Sequence, residues 1–189
     1  MSGGFIFPAH FIQSPVPPAK QVYLAGCGAA VLRSVFRYWG VRTDSEKNIM
    51  SALGTTANKG TFPAMVAKTA RNNNLGARLF PNASWDLVRE NLSFGYPIIC
   101  NIQAWSTEEK YQKLMAGHYV VVIGLTKDRV IFQDPMLSGY RGTLTIPEFE
   151  NRWKDQDWNG RVYRRLAIPV WSDGVPSCIN KRSRAKEIL

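Results

Sequence analysis

Gln21-Val22-Tyr23-Leu24-Ala25-Gly26-Cys27-Gly28-Ala29-Ala30 runs straight into Val31-Leu32-Arg33-Ser34-Val35-Phe36-Arg37-Tyr38-Trp39-Gly40, so a thiol stands where a buried helix begins. Val31, Val35 and Trp39 fall on the buried side of that helix, Arg33 and Arg37 share an exposed stripe, and Gly40 stops it. A cysteine at a helix start feels the positive end of the helix dipole and its unpaired backbone N–H groups, which favour thiolate over thiol. Gly26 and Gly28 flank Cys27 without side chains, leaving room for a substrate backbone and for a sharp turn into the helix. Gln21 lies upstream, where its amide can swing beside the Cys27 N–H, and two such donors make an oxyanion hole. The competing reading is a buried, inert cysteine, and a base decides between them.

The chain has two histidines. His10 sits in the proline-bounded segment Phe7-Pro8-Ala9-His10-Phe11, which reads as irregular. His118 sits in Gly117-His118-Tyr119-Val120-Val121-Val122-Ile123-Gly124, whose β-branched run predicts a buried strand, a rigid element for a base. Arg129-Val130-Ile131-Phe132-Gln133-Asp134-Pro135 reads as a second strand ending at an aspartate. If Thr126 to Asp128 form a three-residue loop centred on Lys127, His118 lies opposite Met136, and Asp134 falls two places away on the same face. An even loop would put the two on opposite faces, so their pairing predicts an odd loop or a bulge. Asp134 would then accept the imidazole N–H, fix its tautomer and stabilise an imidazolium beside a thiolate. Taken singly, the two residues also read as a structural histidine and a turn-capping aspartate.

Gln21, Cys27-Gly28-Ala29-Ala30, Tyr38-Trp39-Gly40, Gly60-Thr61, the His118 strand and Asp134-Pro135 together resemble the C39-type cysteine peptidases, papain-like enzymes best known for cutting leader peptides after a Gly-Gly pair. The resemblance spans roughly positions 15 to 155 and extends to Ile146-Pro147-Glu148-Phe149 and Trp153. It implies Cys27 as nucleophile, His118 as general base, Asp134 as orienting residue and Gln21 as oxyanion donor, with Gly26, Gly28 and Gly117 against the substrate. The chain departs from the family pattern at Gly26, where members often carry an acidic or amide residue, and it reads as a stand-alone member.

With 189 residues and 45% hydrophobic content, the chain supplies one core. Residues 1–20 read as an irregular lead-in, 21–171 as the peptidase-like domain and 172–189 as a basic tail. No run approaches the roughly 20 apolar residues that span a bilayer, and Phe5-Ile6-Phe7 is too short for a signal-peptide core, so the expected location is cytoplasmic. Cys27, Cys100 and Cys178 form neither an even disulfide framework nor a metal-ligand spacing, so no metal or other cofactor is expected. Cys100 reads as core packing and Cys178 as an exposed tail thiol.

Ser45 or Asp44 caps a helix to Leu53, Pro63 opens another towards Asn74, and Ser84 caps a third to Leu92. Strands follow at Ala77–Phe80, Tyr96–Ile102, Tyr140–Ile146 and Arg161–Ile168, with a short helix from Pro147 to Trp153. The polar stretch Trp105 to Ala116 reads either as a substrate-facing lid or as a solvated insertion. Helices first and strands afterwards give an α+β, papain-like layout, with N-terminal helices packed against an antiparallel sheet and the site at their junction.

A net charge of +10 favours acidic partners, yet the arginines are scattered and no nucleic-acid-binding signature is present, so no specific nucleic acid is expected. The function expected is hydrolysis of a peptide bond in a peptide or protein substrate. The alternatives are a related acyl-transfer or deamidating enzyme on the same residues, and a non-catalytic peptide- or nucleic-acid-binding module.

Overall fold

Helix α1, Cys27–Tyr38, buries nine of its twelve residues and lies at the centre of one apolar layer. Gly40 takes a left-handed φ of 71° just beyond it, a conformation that costs glycine little. The computed structural model describes residues 11–12, 14–42, 45–137, 139–174, 176 and 185–187. His10 and Cys178 lie outside the described residues.

Two further helices complete the first layer: α2, Glu46–Leu53, and α3, Pro63–Asn72. Ser45 caps α2 by accepting the Asn48 N–H, and Pro63 supplies the first position of α3. Val31, Leu32 and Val35 of α1 pack with Val66 and Ala70 of α3 onto one face of a sheet. The other face is covered by α4, Trp85–Ser93, and α6, Ile146–Arg152, through Val88, Leu92 and Phe149. Both faces being buried explains why the central strands read as unbroken apolar runs.

The sheet is built from β1, Phe11–Ile12; β2, Gly76–Ala77; β3, Ile98–Gln103; β4, Gly117–Leu125; β5, Arg129–Gln133; β6, Arg141–Thr145; β9, Ala167–Trp171; and β10, Ala185–Glu187. Its order is β10-β6-β5-β4-β3-β9-β2, with β1 added to β4. Every pairing is antiparallel except β10 with β6. The pairings of β1 and β10 lie in the lead-in and the tail, where no regular structure is expected from the sequence.

A separate hairpin of β7, Lys154–Gln156, and β8, Val162–Arg164, stands beside the end of β3. The single strand expected over 161–168 is therefore two, β8 and β9, divided at Arg165, whose φ of 55° no strand can accommodate. The expected strand at 77–80 is likewise reduced to β2 and a lone bridge from Phe80 to Ala167.

Candidate active site

Cys27 is the first residue of α1, so its N–H has no acceptor within the helix. α1 packs across β4, and this brings the thiol to the first residues of that strand, near enough to act on the His118 ring. His118 Nε2 is 2.8 Å from Asp134 Oδ1, which leaves Nδ1 for the thiol. The pair is deeply buried, with His118 7% exposed and Asp134 0%. Burial works against a charged ring here. The hydrogen bonds and charges of Asp134 and Cys27 outweigh it and push the His118 pKa up to about 10.

The hairpin delivers this pairing by a bulge. Thr126 N–H bonds Arg129 O across a two-residue turn, Lys127-Asp128, which is even, and near the turn Leu125 faces Val130 and Gly124 faces Ile131. Between Val122 and Gly124 the register slips by one, so that Val122 faces Phe132 and Val121 faces Gln133. Ile123 is the extra residue, and beyond it Asp134 returns to the face that His118 occupies.

Two further donors converge on Asp134. The Met136 N–H bonds Oδ1 at 2.7 Å, and the Trp105 indole N–H bonds Oδ2 at 3.0 Å. Trp105 adopts a φ of 59°, a left-handed conformation unusual for a bulky residue, at the start of the polar segment that contains α5, Glu108–Gln112. Leu114 and Met115, at the other end of the segment, line the cleft that reaches Cys27. The 105–116 segment is thus a wall of the site.

The turn before Cys27 is held from below. Glu46, at the start of α2 and 3% exposed, accepts the N–H groups of Val22 and Tyr23 at 2.9–3.1 Å. A Cβ on Gly26 would run into the Glu46 carboxylate, and one on Gly28 would stand 2.7 Å from Thr61 Oγ1. In the direction a side chain would take, the space beside both glycines is filled from within the protein. Gly117 is exposed and does line the cleft.

Gln21 is tied through its backbone N–H to Pro135 O, next to Asp134. Its side-chain NH2 donates to the carbonyls of Tyr23 and Leu24 at 2.8 and 2.9 Å, so both amide hydrogens are engaged within its own turn. Cys100, in contrast to Cys27, is wholly buried in β3, and burial pushes its thiol pKa up.

From Cys27 a cleft of about 510 Å³ extends between the loop carrying Thr61 and the β7–β8 hairpin. Its floor is Asn101 of β3 and Tyr119 of β4, which face each other in register. Asp155 of β7 projects over Gly117 and accepts from Gln103 Nε2 at 2.8 Å. Burial raises the Asp155 pKa to about 6 against the hydrogen bonds it receives, which act the other way. Among the described residues no group of three histidine, cysteine, aspartate or glutamate side chains could hold a metal ion.

Residues 13–157 match the Peptidase_C39 like family, more than half of the chain. The chain belongs to the C39-like peptidases. Solved structures share its fold at low identity. The peptidase domain of Streptococcus ComA, a bi-functional ABC transporter involved in quorum sensing, is 22% identical with a TM-score of 0.62, the match covering 84% of this chain and 99% of that one. A C39-like peptidase from Bacillus anthracis is 18% identical with a TM-score of 0.68, over 92% and 98% of the two chains. A double glycine motif protease from an AMS/PCAT transporter, in complex with the leader peptide, is 20% identical with a TM-score of 0.59, over 85% and 94%. No curated protein sequence matches significantly.

In this C39-like chain Glu46, Trp105, Asn101 and Asp155 join the site without having been candidates for it in the sequence. Glu46 carried one signal: where family members often place an acidic or amide side chain before the cysteine, this chain has glycine, and the Glu46 carboxylate stands in that place. No helix among the described residues is long and apolar enough to cross a membrane.

Proposed function

We propose that this C39-like chain is a cysteine peptidase in which Cys27 attacks a peptide carbonyl, His118 moves the proton and Asp134 orients the imidazole. The observation that carries the reading is a single buried imidazole hydrogen-bonded to Asp134 and lying near a thiol at the N-terminus of a buried helix. The thiol proton passes to His118, the sulfur forms the new C–S bond, and the carbonyl electrons move to an oxygen facing the Cys27 N–H. His118 gives its proton to the departing amine as the C–N bond breaks. Water, deprotonated by the same ring, then releases the acid. Gln21 is the second proposed oxyanion donor, and in that role it exchanges one carbonyl partner for the substrate oxygen. Because a neighbour of the same fold is a double glycine motif protease with its leader peptide, peptides bearing Gly-Gly are proposed as substrates here.

The test is labelling by iodoacetamide across pH, read site by site by mass spectrometry. Cys27 is expected to label rapidly near pH 6 and to lose that reactivity in His118→Ala. Gly-Gly peptides are expected to be hydrolysed by the native chain and not by Cys27→Ala. Equal labelling of Cys27 with and without His118 would sink the reading.

A further inference from the structure

The cleft carries a charge for which the proposed mechanism has no use. Asp155 projects into it from β7, against the backbone of Gly117 and so beside His118. Among the described residues it makes no ion pair, and the donors it has are neutral: the Gln103 amide at 2.8 Å, the Gln156 N–H and the Asn101 amide. Its neighbour Asp157 is already satisfied, with one oxygen accepting the N–H groups of Asn159 and Arg161 and the other the Tyr163 hydroxyl. Asn101 supplies a second, independent observation. It is 5% exposed, lines the same cleft, and its Oδ1 has no hydrogen-bond partner. Such a buried acceptor costs free energy until a donor arrives.

A carboxylate and a carbonyl oxygen that both lack a cationic donor, enclosed by aromatic rings, match the needs of an ammonium or guanidinium group. The rim already behaves this way towards the chain's own cations: the Lys59 ammonium lies over the Trp158 ring at 5.9 Å, and the Arg161 guanidinium over Tyr163 at 5.1 Å.

We propose that the cleft selects peptides with a lysine or arginine side chain within three residues of the scissile bond, held by Asp155 and Asn101. The inference rests on the peptidase reading only in taking Cys27 as the end of the cleft where bonds are cut. It is compatible with a Gly-Gly pair at the bond itself, because the cationic residue can stand at a neighbouring position. It also sets the cleft apart from the rest of the molecule, whose net charge is +10.

The experiment uses fluorescein-labelled peptides carrying Gly-Gly, in pairs differing by lysine against norleucine at the position just before the glycine pair and at each of the three positions after it. Cleavage is measured with the native chain and binding with the Cys27→Ala chain. At one position the lysine peptide is expected to be cleaved and bound at least about tenfold better, and Asp155→Asn is expected to bring that ratio close to one. Each ratio is taken within one protein preparation, so partial unfolding of a variant does not alter it. Lysine preference in binding without any cleavage would overturn the peptidase reading and leave this one standing. Cleavage or binding with no lysine preference at any position, or a preference that survives Asp155→Asn, would overturn this one, as would absence of binding by either member of every pair.

Discussion

Glu46 illustrates at the residue scale how a side chain outside the chemistry governs it. Its carboxylate bonds two N–H groups of the turn that joins Gln21 to Cys27 and occupies the position a Gly26 side chain would need. Replacing Glu46 by alanine orphans those N–H groups and removes the stop beneath the turn. Glu46→Ala is therefore expected to lower stability by about 1–3 kcal/mol in urea titrations and to slow Cys27 labelling near pH 6. Glu46→Gln keeps one acceptor oxygen and should lose less of both. Equal losses in the two variants would mean that the two-oxygen carboxylate, rather than packing volume or a single acceptor, holds the turn.

At the scale of the element, the β4–β5 hairpin shows how one extra residue decides a site. With a two-residue turn and Ile123 kept in the ladder, His118 and Asp134 would lie on opposite faces, and bulging Ile123 out of it corrects this. Deleting Ile123 leaves the outer register unchanged, with Val122 still facing Phe132, so the His118–Asp134 bond is expected to survive. Deleting Ile131 from the partner strand shifts Asp134 by one place, which either turns it to the other face or, if the bulge is lost as well, moves it two places further from His118. Both deletions remove a buried isoleucine from the same apolar layer, so their costs in thermal stability should be similar. Rapid Cys27 labelling is expected to persist in the first and vanish in the second. The opposite pattern would show that the bulge does not set the register.

For the whole molecule, the raised pKa of His118 ties stability to pH. In the folded chain the charged ring is held by Asp134 and Cys27, whereas in the unfolded chain it titrates near 6.5. Between those two values the folded state binds the extra proton, so stability falls as pH rises. This contribution is fully present below about pH 6.5 and is lost as pH climbs through the raised value. Thermal melts of the native chain from pH 6 to 10 are expected to decline, and the decline should flatten in His118→Gln. An identical slope in both would remove His118 from the linkage.

The helices-then-strands layout, the thiol at a helix start, the buried strands and the same-face requirement linking His118 to Asp134 were all legible in the sequence, because periodicity and turn chemistry act over a few residues. The requirement could be stated as an odd loop or a bulge, and the turn residues alone did not choose between them. The tertiary structure decided what fills the space beside each glycine: Glu46 at Gly26, Thr61 at Gly28 and Asp155 at Gly117, each from a distant segment. It likewise decided that Trp105 closes on Asp134 and that Gln21 spends its amide on its own turn. Such contacts depend on the close packing of elements far apart in the chain, and no local pattern encodes which side chain arrives in the gap.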